Sequence, residues 1–432
     1  MSKAAEDKIS KNWKSIFDKY DILNKVEKDG SFIITAKKIK EFQEPRLMAK
    51  FDASAKLPKI FKDHHLAILP NSRNSYVIGD FSLYKDFETT PATFEHIHIP
   101  NYYETVSAGD ISSEAVALNA LGLTTALEDF FGEENLKTTI SGRMTTKDFS
   151  FNVSDHTNTK STKINVSGSQ MEIDTSYENA NVFVLVEAKA VIYNDFLIRQ
   201  LFYPYNYWYK HIHKPIKPVF ITYANHIYRI IEYEIPDISN YNSIQFVREK
   251  KYSLENAIIS LQEIIDLSKH VHSVKEDFHV PFVQADTFDN VITLVEHLNK
   301  APMSKDEISE LFEFTSRQAD YYFNAARYLG FAEDYRDKNE GTLIKITKSG
   351  QKLFQLSYEQ RQMAFIRSIL EHRIFNEVFQ WAVQDKAAVT KDRVANKILD
   401  LHCNCTDKVV KRRASSVINW INWILDVPNN HE

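Results

Sequence analysis

The chain has few cysteines and no long apolar run. Only Cys403 and Cys405 occur in 432 residues, and two residues this close make a poor disulfide, so a disulfide framework is excluded. A reducing, cytoplasmic compartment is therefore expected. No segment approaches the ~18 unbroken apolar residues of a membrane helix, and the first residues lack the apolar stretch of a signal peptide. We expect a protein that is neither exported nor membrane-spanning.

Internal repeats, low-complexity tracts and long Pro/Gly/Ser linkers are also missing. With 43% hydrophobic and 26% charged residues, the composition is typical of folded globular proteins and excludes disorder along most of the chain. The net charge of −5 argues against a nonspecific polycation, but the charge is uneven. Residues 281–340 carry 6 Lys/Arg against 12 Asp/Glu, whereas residues 341–425 carry 14 against 7, so the C-terminal part is locally basic.

Changes in hydrophobic period predict an α/β multidomain protein with three parts. Residues 1–108 combine an amphipathic N-terminal helix with strand-like runs and proline-containing loops, which predicts a small α/β domain. Residues 109–280 read as a helix, several strands, a helix and a strand, which predicts an α/β core with a mixed sheet. Residues 281–432 are almost entirely helical. Three helices followed by two short strands predict a winged helix, whose third helix, about 316–329, would enter the DNA major groove.

The strongest chemical signal is Asp174 followed by Glu187 and Lys189. Side chains alternate in the strand NVFVLVEAKAV, so Glu187 and Lys189 lie on one face about 6 to 7 Å apart. Apolar residues on both faces predict a central strand. Two carboxylates can hold a divalent cation that polarises a phosphate, while the lysine orients or activates water. A buried Glu–Lys ion pair with Asp174 in a turn fits the same residues equally well.

In this context the sequence resembles the PD-(D/E)XK nucleases, and among them type II restriction endonucleases. The matching segment is IDTSYENANVFVLVEAK, with Asp174 at the motif aspartate and Glu187, Ala188 and Lys189 as the E-x-K tripeptide. The sequence departs from the motif at Ile173, where a proline would stand. The resemblance implies that Asp174, Glu187 and Ala188 hold the metal and that Lys189 is the catalytic lysine. Oxygen ligands favour Mg²⁺, with Mn²⁺ as a substitute.

The resemblance extends to neighbouring segments. In IRQLFYPYNYW, Gln200 is similar to a glutamine that approaches the site from the next helix in several restriction enzymes. Recombination-type nucleases carry Gln and Tyr four residues apart, and Pro204 makes that subgroup fit less well. Glu114 and Glu172 are candidate accessory ligands, although ordinary surface glutamates fit both positions. The element order of residues 109–235 and the segment PRLMAKFD near the start are similar to those of restriction enzymes of a three-part design.

Basic and polar residues in both flanking parts are candidates for DNA contact. In the N-terminal part they lie in or beside loops, on the third helix of the winged helix they would reach base edges, and in the C-terminal cluster they would contact phosphates. Solvated surface charge is the alternative for the loop and cluster residues. In chain order, these candidates are Arg46, Lys50, Arg73, Arg317, Gln318, Tyr321, Lys408, Lys411, Arg412 and Arg413.

These features together predict a Mg²⁺-dependent, sequence-specific type II restriction endonuclease acting on double-stranded DNA. A double-strand cut needs two active sites and the chain has one D…ExK set, so a homodimer on DNA is expected. The resemblance also implies a companion DNA methyltransferase. Two alternatives remain open: a modification-dependent endonuclease that reads a methylated or flipped base, and a noncatalytic winged-helix regulator. A regulator has no need for Asp174, Glu187 and Lys189 together.

Overall fold

The computed structural model describes residues 8–88, 94–111, 113–255, 259–312, 315–338 and 340–429. Its contacts divide the chain into two compact units. Unit 1 comprises Met1–Thr93, Ile99–Tyr223 and Tyr228–Lys251. Unit 2 comprises Phe94–His98, Ala224–Ile227 and Tyr252–Glu432. No helix in the described ranges combines the length and the apolar character that crossing a membrane would require.

Residues 8–255 form a mixed succession of helices and strands. The helices are α1 (Lys8–Tyr20), α2 (Ile22–Asp29), α3 (Ala36–Lys40), α4 (Pro45–Ala49), α5 (Lys59–Asp63), α6 (Glu114–Gly122), α7 (Ala126–Phe131) and α8 (Arg199–Tyr209). The strands are β1 (Ser31–Thr35), β2 (Ala67–Ser72), β3 (Ser75–Gly79), β4 (Tyr84–Asp86), β5 (Phe94–His96), β6 (Lys137–Thr138), β7 (Gly142–Thr145), β8 (Phe149–Ser154), β9 (Ser161–Val166), β10 (Gln170–Ile173), β11 (Thr175–Glu178), β12 (Phe183–Lys189), β13 (Asp195–Leu197), β14 (Ile216–Ala224), β15 (Ile227–Glu234) and β16 (Gln245–Ser253).

Residues 259–429 are mainly helical. The helices are α9 (Leu261–His270), α10 (Phe288–Lys300), α11 (Lys305–Leu311), α12 (Ser316–Tyr328), α13 (Lys348–Leu353), α14 (Tyr358–Leu370), α15 (Arg373–Gln384), α16 (Lys391–Asp400) and α17 (Val410–Asn429). The strands β17 (Ala332–Asp337) and β18 (Gly341–Ile346) form an antiparallel pair directly after α12.

Helix α1 follows the predicted amphipathic pattern. Trp13, Ile16 and Phe17 recur at helical spacing and are all buried. They share a core with Phe61 of α5 and with the three-stranded sheet β1-β3-β2, to which Ile78 contributes. The N-terminal part of unit 1 thus combines helices and a sheet around one apolar core, as its sequence predicts.

Strand β12 is an inner strand of the largest sheet, whose order is β5-β16-β15-β14-β12-β11-β6. It runs parallel to β14 and antiparallel to β11, so the predicted mixed sheet is confirmed. All seven residues of β12 are buried, which confirms the prediction of a central strand. A charged pair in such a strand has little access to water and must be balanced by neighbouring groups.

Helix α8 covers one face of β12. Its Tyr205 and Trp208 pack against Phe183 and Leu185 of the strand, and the ring centroids of Phe183 and Trp208 are 5.4 Å apart. This packing is made by the apolar residues that precede the charged end of the strand. It fixes the start of α8 near that end.

The local pattern of NDFLIRQLFY predicts a helix over residues 194–203, and only the second half of this segment is helical. Residues 195–197 form β13, which pairs antiparallel with β4, and α8 begins at Arg199. Asp195 also accepts a hydrogen bond from the backbone N–H of Ser54 at 2.9 Å. These contacts come from residues far away in the sequence, and they outweigh the local helix preference.

Two helices of unit 2 begin at capping residues that the sequence predicts, Ser304 for α11 and Thr315 or Ser316 for α12. The N-caps are Ser304 and Thr315, and each closes a capping box with the residue three positions later. The predicted third helix, 316–329, is observed as α12, and the two predicted strands after it are β17 and β18. The sequence also predicts helices near 358–371, 373–384, 390–400 and 407–425, and these are observed as α14, α15, α16 and α17, the last beginning at Val410.

Candidate active site

Asp174 lies where the chain passes from one sheet to another. The preceding β10 pairs with β7, and the following β11 pairs with β12 with Thr175 opposite Val186. This register brings Asp174 beside the end of β12, where its Oδ2 accepts a hydrogen bond from the backbone N–H of Ala188 at 2.8 Å. The carboxylate is therefore fixed next to the E-x-K tripeptide, although the sequence separates the two by a loop.

Glu187 and Lys189 form a buried ion pair. The Nζ of Lys189 donates to Oε1 of Glu187 at 2.9 Å, and the lysine and the glutamate are 8% and 6% exposed. Gln200, in the first turn of α8, donates from Nε2 to the same carboxylate oxygen. The structure thus brings together Asp174, Glu187, Lys189 and Gln200. The ion pair agrees with both interpretations of the sequence, since each requires it.

Burial dominates the electrostatics of the site. It raises the pKa of Glu187 to about 8, an effect that the charge of Lys189 opposes and the charge of Asp174 reinforces. Burial also raises the pKa of Asp174, and Lys189 and the N–H of Ala188 oppose that shift. Burial therefore favours the protonated form of Glu187, whereas the ion pair with Lys189 favours its carboxylate. A divalent cation would also favour the carboxylate, because a metal ion competes with protons for its ligands.

The accessory candidates differ in their surroundings. Glu114, the first residue of α6, accepts a hydrogen bond from the backbone N–H of Ala190 at 3.3 Å, so it reaches the end of β12. Glu172 is exposed and lies 3.5 Å from Arg143, on the surface of the β10-β7 pair. Of these two, Glu114 is therefore the one that contacts the end of β12.

Sequence reasoning missed Asp52. This residue follows α4 and is 7% exposed, and its charge acts on both Asp174 and Glu187. Neither a hydrophobic period nor a motif spacing links it to residues so much later in the chain. Its only signal in the sequence is its position at the end of the segment PRLMAKFD.

The donor set suits a hard cation held partly by water. Within the described ranges, no group of three or more His, Cys, Asp and Glu side chains is arranged to hold a metal. Asp174 and Glu187 provide two carboxylates, and Mg²⁺ commonly binds through one or two carboxylates while keeping several waters. Gln200 Oε1 is also buried there without a hydrogen-bond partner in the described structure. The residues therefore fit Mg²⁺ better than a metal ion whose ligands must all come from protein side chains.

The N-terminal candidates for DNA contact are dispersed. Arg46 is exposed on the short helix α4, and Lys50 follows that helix with its Nζ 3.9 Å from Oδ2 of Asp52. Arg73 is exposed in the turn between β2 and β3. Lys50 is thus paired with Asp52, whereas Arg46 and Arg73 lie on other exposed segments.

Part of the C-terminal cluster lies close to α12. The guanidinium carbon of Arg317 is 5.6 Å from the ring centroid of Tyr321. Burial lowers the pKa of Arg413, the charges of Cys405 and Tyr321 raise it, and those of Arg412 and Arg317 lower it further. Because their charges act on one another, we group Arg317, Tyr321, Arg412 and Arg413 and call them the basic face below. In the described structure, Nε of Arg413 is buried without a hydrogen-bond partner.

The other candidates in this region are placed differently. Gln318 accepts from the backbone N–H and hydroxyl of Thr315, both at 3.1 Å, and so closes the capping box of α12. The spacing of Thr315 and Gln318 is itself the capping-box signature and could have indicated this role. Lys411 pairs with Asp392 at 2.8 Å, and Lys408 is exposed. None of these contacts brings Gln318, Lys411 or Lys408 into the basic face.

Three family models match the chain, and each describes a domain of unknown function. DUF6996 matches residues 10–78, DUF6997 matches residues 79–253 and DUF7226 matches residues 290–429. Asp174, Glu187, Lys189 and Gln200 all fall within the DUF6997 match, and the basic face falls within the DUF7226 match. No curated protein and no solved structure matches the chain.

The raised pKa of Glu187 predicts a specific pH dependence of stability. Between about pH 4.5 and pH 8 the folded state holds a proton on Glu187 that the unfolded state has lost, so the unfolding free energy should fall as the pH rises through this window. Glu187→Gln should remove that part of the dependence. Denaturant titrations at pH 5, 6, 7 and 8 measure it.

The control is Glu133→Gln. Hydrogen bonds from Asn181 and Asn179 lower the pKa of Glu133, so its contribution to stability is lost only below about pH 4.5. This variant should leave the slope between pH 5 and 8 unchanged. Equal slopes for the wild type and Glu187→Gln would contradict a raised pKa at Glu187.

Proposed function

We propose that the chain is a Mg²⁺-dependent type II restriction endonuclease with a PD-(D/E)XK catalytic core. The observation that carries this proposal is the meeting of Asp174, Glu187, Lys189 and Gln200 at the end of one buried central strand. A buried Glu–Lys pair alone is explained by structure. A second, partly buried carboxylate and a buried amide oxygen at the same place are more than such a pair needs.

Each of these residues has a role in phosphodiester hydrolysis. Asp174 and Glu187 would hold the cation, and Gln200 orients the carboxylate of Glu187 through its Nε2. Lys189 carries an ammonium group beside Glu187, where it would hydrogen-bond the attacking water and stabilise negative charge on the phosphate. When bound, the cation supplies Lewis-acid polarisation of the phosphate and lowers the pKa of water.

The arrangement of α10, α11, α12 and the β17-β18 hairpin supports a winged helix that reads DNA. The basic face provides cations at the start of α12, which is the part of a recognition helix that reaches base edges. Because one D…ExK set per chain can cut one strand, the active species on DNA is a homodimer. A companion methyltransferase would protect the host DNA.

Neutralising the basic face should weaken DNA binding in a salt-dependent way. For Arg317→Ala combined with Arg412→Ala, we expect the slope of log affinity against log salt to flatten by about 0.9 for each phosphate that the variant no longer neutralises. Arg373→Ala is the control, because Arg373 is exposed and pairs with Glu377 on α15. Affinity titrations on a fixed duplex at several salt concentrations measure the slope, and identical slopes for all three proteins would remove the basic face from the DNA interface.

A cleavage experiment tests the function. Purified protein is incubated with plasmid DNA, methylated or unmethylated, with Mg²⁺, Ca²⁺ or excess chelator, and the ends are sequenced. Defined ends that require Mg²⁺ and unmethylated DNA support the proposal. Cleavage of methylated DNA alone would indicate a modification-dependent enzyme. Specific binding with no cleavage in Mg²⁺ or Mn²⁺ would overturn the nuclease proposal in favour of a regulator.

A further inference from the structure

Thr222 of β14 lies beside Lys189 in the largest sheet. The parallel register of β12 and β14 places Glu187 opposite Phe220 and Lys189 opposite Thr222. Neighbouring strands lie about 4.8 Å apart, and residues paired in this way carry their side chains on the same face. Phe220 belongs to the apolar core that includes Phe202 of α8. The side chain of Thr222 therefore shares a face with Glu187 and Lys189, on the side of the sheet that α8 covers.

The hydroxyl of Thr222 is buried and makes no internal hydrogen bond. Thr222 is 5% exposed, and its hydroxyl has no hydrogen-bond partner among the described residues. Its oxygen is not one of the fully enclosed polar atoms, which include Oε1 of Gln200, so a water molecule can reach it. A buried hydroxyl without a partner costs stability, and each such group in a native protein calls for an explanation. A water molecule at this place would supply the missing partner.

The strand does not need a hydroxyl at this position. The nearby residues Val219, Ile221 and Tyr223 of β14 are all buried. Valine has the same β-branched shape as threonine and packs as well in a buried strand. The hydroxyl of Thr222 therefore adds nothing to packing, whereas it supplies a donor and an acceptor next to the side chain of Lys189.

We propose that Thr222 is a further residue of the active site, whose hydroxyl holds a water molecule against the ammonium group of Lys189. This inference rests on the proposed function, in which Lys189 hydrogen-bonds the attacking water. The side chain of a threonine in a strand is stiff, so its hydroxyl restricts the orientations that the water can take. Fixing a reactant in the correct orientation lowers the barrier of the chemical step. Thr222 orients the water and makes or breaks no bond itself.

Removing the hydroxyl alone tests this role. Thr222→Val keeps the branched shape of the side chain. We expect single-turnover cleavage at saturating Mg²⁺ to slow by roughly 10- to 100-fold, while DNA affinity in Ca²⁺ stays the same. The melting temperature should equal or exceed that of the wild type, because no internal hydrogen bond is lost.

The matched control is Thr146→Val, at a buried threonine whose hydroxyl has a partner. Thr146 is 4% exposed, and its hydroxyl accepts a hydrogen bond from the backbone N–H of Ser169 at 2.9 Å. Loss of this bond should lower the melting temperature, while the cleavage rate stays near that of the wild type. The two variants should therefore differ in opposite directions, Thr222→Val in rate and Thr146→Val in stability.

A second pair of variants covers the case in which Thr222→Val does not fold. Thr222→Ser and Thr222→Ala both lose the methyl group, and they differ from each other by the hydroxyl alone. We expect Thr222→Ser to cut DNA roughly 10-fold faster than Thr222→Ala at a similar melting temperature.

The outcomes separate this inference from the proposed function. If a folded Thr222→Val cuts as fast as the wild type while Lys189→Ala does not, the role of Thr222 is wrong and the proposed function survives. Equal rates for Thr222→Ser and Thr222→Ala lead to the same conclusion. A lower melting temperature of Thr222→Val would show that the hydroxyl serves the fold, which also overturns the inference. If the wild type cuts no DNA with Mg²⁺ or Mn²⁺, the proposed function is wrong and this inference is wrong with it.

Discussion

Replacing Lys189 with alanine is expected to slow DNA cleavage by about 10²- to 10⁴-fold, the range typical of a group that handles a proton in the transition state. DNA affinity should change little, since Lys189 is 8% exposed and bonds to Glu187. The removal also leaves Glu187 without its ammonium partner, which favours the protonated carboxylic acid. Single-turnover cleavage at saturating Mg²⁺, together with equilibrium binding in Ca²⁺, separates the effects on rate and affinity.

The matched control is Lys214→Ala. Lys214 also forms an ion pair in unit 1, with Glu178 at 2.7 Å, but at the far end of β11 from Asp174. This variant should cut at close to the wild-type rate. A folded Lys189→Ala protein that cleaves as fast as Lys214→Ala would show that the E-x-K resemblance is structural only.

The second large effect is a loss of stability when Trp420 is replaced. This residue lies in α17, the helix that carries Arg412 and Arg413. Trp420 of α17 is fully buried, with its ring centroid 4.8 Å from that of Phe288 and 5.2 Å from that of Phe375. Its Nε1 donates to the carbonyl of Ala285 at 2.7 Å. Trp420→Ala removes the ring and leaves that carbonyl without its hydrogen-bond donor. We therefore expect the free energy of unfolding to fall by about 3 to 5 kcal/mol.

The control for this prediction is Asn419→Ala on the same helix. Asn419 is exposed, and surface substitutions of this kind usually change the unfolding free energy by less than about 0.5 kcal/mol. Denaturant titrations followed by circular dichroism compare the two variants. A loss below about 1 kcal/mol for Trp420→Ala would mean that the core around Phe288 closes over the missing ring.

Elements with a strong local pattern were predictable from the sequence. The helical spacing of Trp13, Ile16 and Phe17 predicts α1, and the apolar residues on both faces of β12 predict a central strand. Ser304 and Thr315 mark the starts of α11 and α12, because the capping-box signal is contained within four residues. In each case the residues that determine the element are close together in the chain.

Features set by distant contacts were not predictable in this way. Residues 195–197 have the local character of a helix and become a strand because β4 supplies a partner. The backbone N–H of Leu197 bonds to the carbonyl of Asp52, which lies far away in the sequence. Arg317 and Arg413 were predicted separately as DNA contacts, but the effect of one charge on the other depends on how the helices of unit 2 pack. The hydrophobic periodicity of one sequence carries no information on contacts between residues that lie far apart in the chain.

The position of Asp174 between two sheets affects the entropy of ligand binding. Its neighbours on one side are fixed by β7, those on the other by β12, and its carboxylate is held by the N–H of Ala188. A flexible side chain loses about 0.5 to 1.5 kcal/mol when a ligand immobilises it. Asp174 has already lost most of this freedom during folding. Cation binding should therefore order little of the protein, and its entropy change should come mainly from released water.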